Sequence, residues 1–191
     1  MMTPTLFGHY RNRVLGLLLM NHEMDYHVRE IARLTHTSAG SLHKELSHLT
    51  QMGILKSRRV GNQVHYKADM NCPVIEELTS IARKSFGLKE PISQALQPHD
   101  HDLTLAFIFG SMASGTLQNQ SDVDVMLVGD ISFKAAVEAL HPIQTYIQRE
   151  INPVVYTLNE WQKRIKDKDP FVLNLLKQPK LWMKGEMHES Q

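Results

Sequence analysis

Apolar positions three and four residues apart dominate the first half of the chain, and continuous or alternating apolar runs dominate the second. "YRNRVLGLLLMN" (10–21) predicts a helix passing from an amphipathic start to a buried end, and "HVREIARL" (27–34) a second, with Val28, Ile31, Ala32 and Leu34 in helical phase. Ser38 is placed to cap a third helix, "AGSLHKELSHLTQM", whose Leu42, Leu46 and Leu49 form one face and which Gly53 stops. The alternating segments "ILKSRRV" and "QVHYKAD", joined by Gly61-Asn62, predict a hairpin. Pro73 opens a further helix, Val74–Phe86, closed by Gly87. "KEPISQALQPHDHD" then reads as a linker or connecting helix. "LTLAFIFG" (103–110) and "VDVMLV" (123–128) are continuous apolar strands of the kind buried on both faces. "FKAAVEALHPIQTYIQRE" is helical with a kink or break expected at Pro142, "NPVVYTL" is a third strand, and two helices near 159–167 and 170–177 complete the pattern.

Composition narrows this picture. The 191 residues suffice for one large or two small domains, and no apolar run approaches a bilayer-spanning length. The longest run, Val14–Met20, is flanked by charge and followed by no small-residue cleavage site, so no leader is expected. A single cysteine, Cys72, excludes an intrachain disulfide and suits a cytoplasmic location. The net charge of +1 is uneven: residues 1–90 carry 12 Lys+Arg against 8 Asp+Glu, and residues 91–191 carry 9 against 12. A mildly basic front and an acidic rear fit two modules with different partners.

In the front module, three helices precede a two-stranded hairpin. Within that order "REIARLTHTSAGSLHKELSHLTQMGILKSRRVGNQVHYKAD" resembles the winged helix-turn-helix regulators of the ArsR and MarR type. The resemblance implies double-stranded DNA as partner, with the third helix as recognition helix and the hairpin as wing. Ser38, Ser41, His43, Lys44 and Ser47 lie off the leucine stripe, and the N-terminal end of such a helix enters the major groove. Arg58 and Arg59 stand on the wing, where a guanidinium reaches backbone phosphate or a minor groove, with His65 and Lys67 at the same edge. The competing reading is a winged helix used for protein contact with solvated charges. The first helix and the Val74–Phe86 helix carry a surplus of apolar residues, which points to a homodimer or to cover by the rear domain.

In the rear module, "IFGSMASGTLQNQSDVDVML" (108–127) sets glycines, serines and two aspartates between apolar segments. Gly110-Ser111 would open a helix whose N–H groups hold phosphate. Asp122 and Asp124 flank Val123 on a strand, so their side chains share a face roughly 7 Å apart at the backbone. Their repulsion calls for a cation, and Mg²⁺ is the usual one. The alternative is a structural turn with aspartates on a solvated strand edge. Gly110, Ser111, Gly115, Ser121, Asp122 and Asp124 together resemble a minimal nucleotidyltransferase of the DNA polymerase β-like superfamily. That resemblance implies a mixed α/β domain with a small sheet, with NTP and Mg²⁺ as ligands. It also implies a third carboxylate on the next strand, where this chain has Asn152; Glu150, two residues earlier, is the possible substitute. "HDHD" (99–102) reads as solvated linker rather than a metal site, no Cys/His zinc spacing occurs, and Trp161 and Trp182 read as core aromatics.

The expectation is therefore an α+β chain of two domains: a winged helix over 1–72, a connecting helix and linker over 73–98, and a nucleotidyltransferase-like domain with C-terminal helices over 99–191. Three functions stay open. One is a DNA-binding transcriptional regulator whose rear domain binds Mg-NTP as sensor or weak modifier. The second is an active nucleotidyltransferase acting on a protein, RNA or small molecule. The third is a catalytically silent interaction protein. Asn152 favours sensing over robust catalysis.

Overall fold

The computed structural model of the chain describes residues 7–115 and 121–185. Two compact units divide it, one reaching to Glu90 together with Thr145–Gln148, the other comprising residues 91–144 and those from Arg149 onward.

The first unit begins with α1 (His9–Met20), whose run Val14–Met20 is buried throughout. The surplus apolar surface expected on this helix is thus absorbed internally, and α1 offers no free apolar face. β1 (Tyr26–His27), α2 (Val28–Thr35), α3 (Ala39–Gln51), β2 (Leu55–Val60), β3 (Gln63–Ala68) and α4 (Ile75–Lys84) follow. Leu42, Leu46 and Leu49 are buried, as their spacing on α3 requires. Ser38 occupies the N-cap position of α3, but its hydroxyl bonds Ser41 Oγ at 3.0 Å rather than a backbone N–H. β2 and β3 form an antiparallel hairpin in which Val60 faces Gln63 across Gly61-Asn62, with Gly61 at φ 59°. A two-residue loop with positive φ matches the twist of the strands it joins. β1 completes a three-stranded sheet in the order β1-β3-β2. The pattern gave no sign of β1, because two residues show no periodicity.

The stretch read as connecting helix and linker folds as α4 and α5 (Lys89–Leu96). After them "QPHDHD" is solvent-facing, as expected, but forms a 3-10 turn tied to the sheet: the Asp102 carbonyl accepts from Asp130 N at 2.7 Å, and His99 lies 3.6 Å from Asp102. The turn packs at the end of β5 because residue 129 is glycine; a Cβ there would stand 2.0 Å from the Asp102 carbonyl oxygen.

The second unit holds a four-stranded sheet in the order β6-β5-β4-β7. Its strands are β4 (Leu103–Phe109), β5 (Val123–Gly129), β6 (Ile151–Tyr156) and β7 (Leu181–Lys184). β4 runs antiparallel to β5 and β7, while β5 and β6 are parallel. Pro153 is tolerated because β6 is an edge strand, where a missing N–H leaves no ladder bond unmade. α7 (Phe133–Ile147) continues through Pro142 without the expected break. α8 (Leu158–Lys166) starts with a capping box from Thr157 and Glu160, and α9 (Pro170–Lys177) is capped by Asp169. β7 was missed by the sequence pattern, since "LWMK" after a helix does not alternate clearly.

One sheet face, with α8 and α9, makes the core: Phe107, Phe109, Met126, Val128, Trp161, Val172 and Leu175. Ile108, Val125 and Leu127 are buried as well, so both faces of β4 and β5 are covered, as their continuous apolar runs predict. Trp161 is a core aromatic, and Trp182 packs against Phe107 at 4.7 Å between ring centroids.

Candidate functional site

The core face runs out at one end of the sheet, and there its residues change from apolar to acidic. Across three strands the register aligns Phe109 on β4, Asp124 on β5 and Asn152 on β6. Met126 and Val154 occupy the next aligned pair and belong to the core. Asp122 sits just before β5 and is exposed; Asp124 is half-buried. Burial pushes the Asp124 carboxyl above its ordinary range, and the charge of Asp122 pushes it further. The Asn152 amide, close enough to Asp124 to oppose that rise, donates to Asp122 Oδ2 at 3.2 Å. Asn152 therefore stands where the sequence placed it, beside the aspartates, and supplies them with a donor rather than a charge.

Gly110 closes the site from β4. Its φ of 72° and ψ of −151° lie in a region that L side chains avoid, and a Cβ would stand 2.8 Å from Asp124 Oδ2. Glycine here satisfies two demands at once: the backbone turns sharply, and it passes against the carboxylate. Ser111 then begins the short α6 (Ser111–Ser114), ended by Gly115 at φ 85°. Gly110, Ser111, Asp122, Asp124 and Asn152 share one end of the sheet, while Gly115 and Ser121 bound residues 116–120, which lie outside the described structure.

The Asp122 backbone is clamped by the segment that leads into β6. Arg149 Nη1 donates to the Ser121 carbonyl at 2.9 Å, and Val123 N donates to the Glu150 carbonyl at 2.9 Å. Sequence reasoning missed Arg149, for nothing local marks an arginine that serves a residue 28 positions away. Glu150 does not become the third carboxylate: among the described residues no three His, Cys, Asp or Glu side chains gather around a possible metal. The same holds for "HDHD". Two carboxylates, one half-buried and both without an ion pair among the described residues, nonetheless fit a divalent cation; Asn152 could add its carbonyl only by turning its amide away.

The expected DNA-binding side chains are placed as follows. On α3, Ser38, Ser41, His43, Lys44 and Ser47 are all exposed. An open groove of about 640 Å³ beside them is lined by Ser41, Lys44, Ser47, His48 and Gln51, with Arg11 and Glu45 paired at 2.5 Å. On the hairpin, Arg59 is exposed with no partner among the described residues. Arg58 differs from expectation. Its Nε and Nη2 donate to Asp25 Oδ1 and Oδ2, both at 3.0 Å, so this arginine is already engaged. His65 is half-buried, its ring against His27 at 5.7 Å and its Nε2 buried without a partner, so it is not a free edge group.

Among the described residues, no helix is long and apolar enough to cross a membrane. No curated protein matches the chain. Among solved structures, similarity is found to a toxin-antitoxin with AMP-PNP, at 17% identity and TM-score 0.34, covering 47% of this chain and 84% of that one. The toxin-antitoxin MntA-HpeT, in a mutant form, is similar at 16% identity and TM-score 0.33, covering 46% and 83%. Residues 90–169 match the family model described as polymerase beta, nucleotidyltransferase. That stretch contains β4, β5, β6 and every residue of the acidic site, and it forms a polymerase beta-like nucleotidyltransferase domain.

Proposed function

We propose that the chain is a DNA-binding regulator whose nucleotidyltransferase-like domain, residues 99–191, binds Mg-NTP and transfers nucleotide weakly or not at all. The observation that carries the nucleotide half is the approach of Gly110 to the Asp124 carboxylate, beside Asp122. That approach sets the strand-to-helix backbone directly beside the carboxylate pair, where a phosphate held on the turn would meet a cation held on the aspartates. Asp122 and Asp124 would hold the metal, while Gly110 and Ser111, with Gly115 and Ser121 at the loop ends, would hold phosphate. When bound, Mg²⁺ would neutralise phosphate charge and orient the nucleotide. Asn152 cannot take a proton from an acceptor hydroxyl, and it leaves the metal site one charge short. Loss of general-base help alone is typically worth about a hundredfold or more. Calorimetric titration of the protein with ATP, with and without Mg²⁺, tests this: binding that requires Mg²⁺ is expected, and brisk turnover of labelled NTP would favour the transferase reading instead.

The DNA half rests on α3, whose leucine face is buried and whose opposite face is hydroxylic and basic. Residues 1–72 would then be a winged helix, with Arg59 the contact most free to reach phosphate. A homodimer is the third part. α4 leaves Val74 and Ile81 exposed, and at helical spacing Glu77 and Lys84 flank them. Two copies of this helix packed antiparallel would set Glu77 of one against Lys84 of the other around Ile81, a self-complementary contact. Glu77→Lys should separate the copies in sedimentation equilibrium, and adding Lys84→Glu should restore them.

A further inference from the structure

The basic hairpin contains its own counter-charge. Asp25 lies immediately before β1, its side chain only 18% exposed, and it receives both donors of the Arg58 fork. Lys67 Nζ stands 3.8 Å from the same carboxylate. Arg58 faces His65 across the β2–β3 ladder, and His65 faces His27 across β3–β1, so Arg58, His65 and His27 form one row over the sheet. Lys67 is two residues from His65 and shares that face. Arg59 projects to the opposite face, opposite Val64. The hairpin thus splits its adjacent arginines, one held by a carboxylate and one without a partner among the described residues.

We infer that Asp25 restrains DNA binding by occupying Arg58, so that Arg59 supplies the wing's phosphate contact and Arg58 is held in reserve. This rests on the DNA-binding reading of the front unit. Asp25 holds the Nε/Nη2 edge of Arg58, so a phosphate takes that edge only by displacing the carboxylate; at the remaining Nη1 side it meets a guanidinium whose charge is already balanced, and the carboxylate itself repels the approaching strand. Removing the Asp25 charge releases one guanidinium and half-releases Lys67. Each additional phosphate contact steepens the dependence of log K on log salt by about 0.9.

The test is fluorescence anisotropy with a labelled duplex of arbitrary sequence, titrated from low to moderate salt. Arg59→Ala should weaken binding and flatten the slope by about one. Arg58→Ala should stay within about twofold of wild type. Asp25→Asn should tighten binding several-fold at low salt and steepen the slope by about one. The double variant D25N/R58A should lose most of the gain seen in Asp25→Asn, keeping only what the freed Lys67 and the lost carboxylate charge contribute, which marks the released arginine as the main source. Asp25→Ser, compatible with a turn, serves as second variant if Asp25→Asn does not fold. Unchanged affinity and slope in Asp25→Asn would overturn the inference while leaving DNA binding intact. So would a loss in Asp25→Asn matched by an equal loss in Arg58→Ala, since Asp25 would then be presenting the arginine to DNA. Absence of duplex binding by wild type and every variant would overturn the DNA reading itself, and this inference with it.

Discussion

The two units treat their carboxylates in opposite ways. In the front unit Asp25 is met by a bidentate arginine at 3.0 Å and a lysine at 3.8 Å. In the rear unit Asp122 and Asp124 are met by each other and by one amide at 3.2 Å. The Arg58 guanidinium holds the Asp25 carboxyl below its ordinary range, whereas burial and Asp122 hold Asp124 above it. A carboxylate with its counter-charge in place is part of the fold's own electrostatics. A half-buried carboxylate beside a second one, with no counter-charge among the described residues, is held at a cost, and such a cost is tolerated where a ligand removes it.

The largest effect should come from abolishing the pair. Replacing both Asp122 and Asp124 with Asn should eliminate Mg²⁺-dependent nucleotide binding in calorimetry while the far-ultraviolet circular dichroism stays that of wild type. Retained binding would show that the phosphate, not the metal, is the main anchor. The next largest follows from completing the site. Asn152→Asp sets a third carboxylate beside Asp124 in the strand register, and it should raise transfer of labelled nucleotide by about a hundredfold over the wild-type level. It should also lower the Tm of the metal-free protein, since three like charges then crowd one strand end. A variant with improved turnover and unchanged metal-free stability would mean that a cation already sits nearby.

Much of this contrast was legible in the sequence, and what was not has a common cause. Asp122 and Asp124 are readable because period-two spacing puts them on one face, and Gly110 because a glycine after an apolar strand has few reasons to be there. The helices of the front unit follow from leucine spacing, and the hairpin from Gly61-Asn62. Asp25, Arg149 and β7 were invisible. Asp25 acts on Arg58 33 residues away, and Arg149 on Ser121 across 28. β7 joins β4 from the far end of the chain. Each depends on which segments the fold makes neighbours, and no local period encodes that. The 3-10 turn at "HDHD" was not visible for the same reason: its close approach to the end of β5 needs Gly129, 27 residues beyond Asp102.

A smaller effect is expected from Gly110→Ala. The methyl group meets both a forbidden backbone region and Asp124 Oδ2 at 2.8 Å. Strain of this kind costs on the order of 1–3 kcal/mol. Asp124 can swing aside, so the domain should fold with a reduced Tm. The displaced carboxylate should weaken Mg-NTP binding by about tenfold, and calorimetry separates this partial loss from the complete loss in the double aspartate variant. Equal losses in the two would make the hold of the Gly110 backbone on phosphate as indispensable as the metal.

The smallest effect is the one that sets the two carboxylate environments side by side. Asp25 has a lowered carboxyl in the folded state, so its contribution to stability is present above the unfolded carboxylate range and is lost as pH falls through the lowered value. Asp124 has a raised one, so deprotonation opposes folding: the stability it allows is present below the unfolded value and lost as pH rises through the raised value. At neutral pH and without metal, Asp25→Asn should therefore lower the Tm and Asp124→Asn should raise it, each by about one to three degrees, since the Asp25 pair is solvent-facing and Asp124 only half-buried. The Asp124→Asn difference should shrink as pH falls from the raised carboxyl value to about 4, and the Asp25→Asn difference as pH falls further, from about 4 through the lowered value. The Asp124→Asn difference should close first, because a raised carboxyl protonates earlier on acidification. Thermal melts of the three proteins from neutral to acidic pH read this directly. A destabilised Asp124→Asn variant at neutral pH would mean that the rear carboxylate, like Asp25, has a counter-charge in place, and the contrast between the two units would fail.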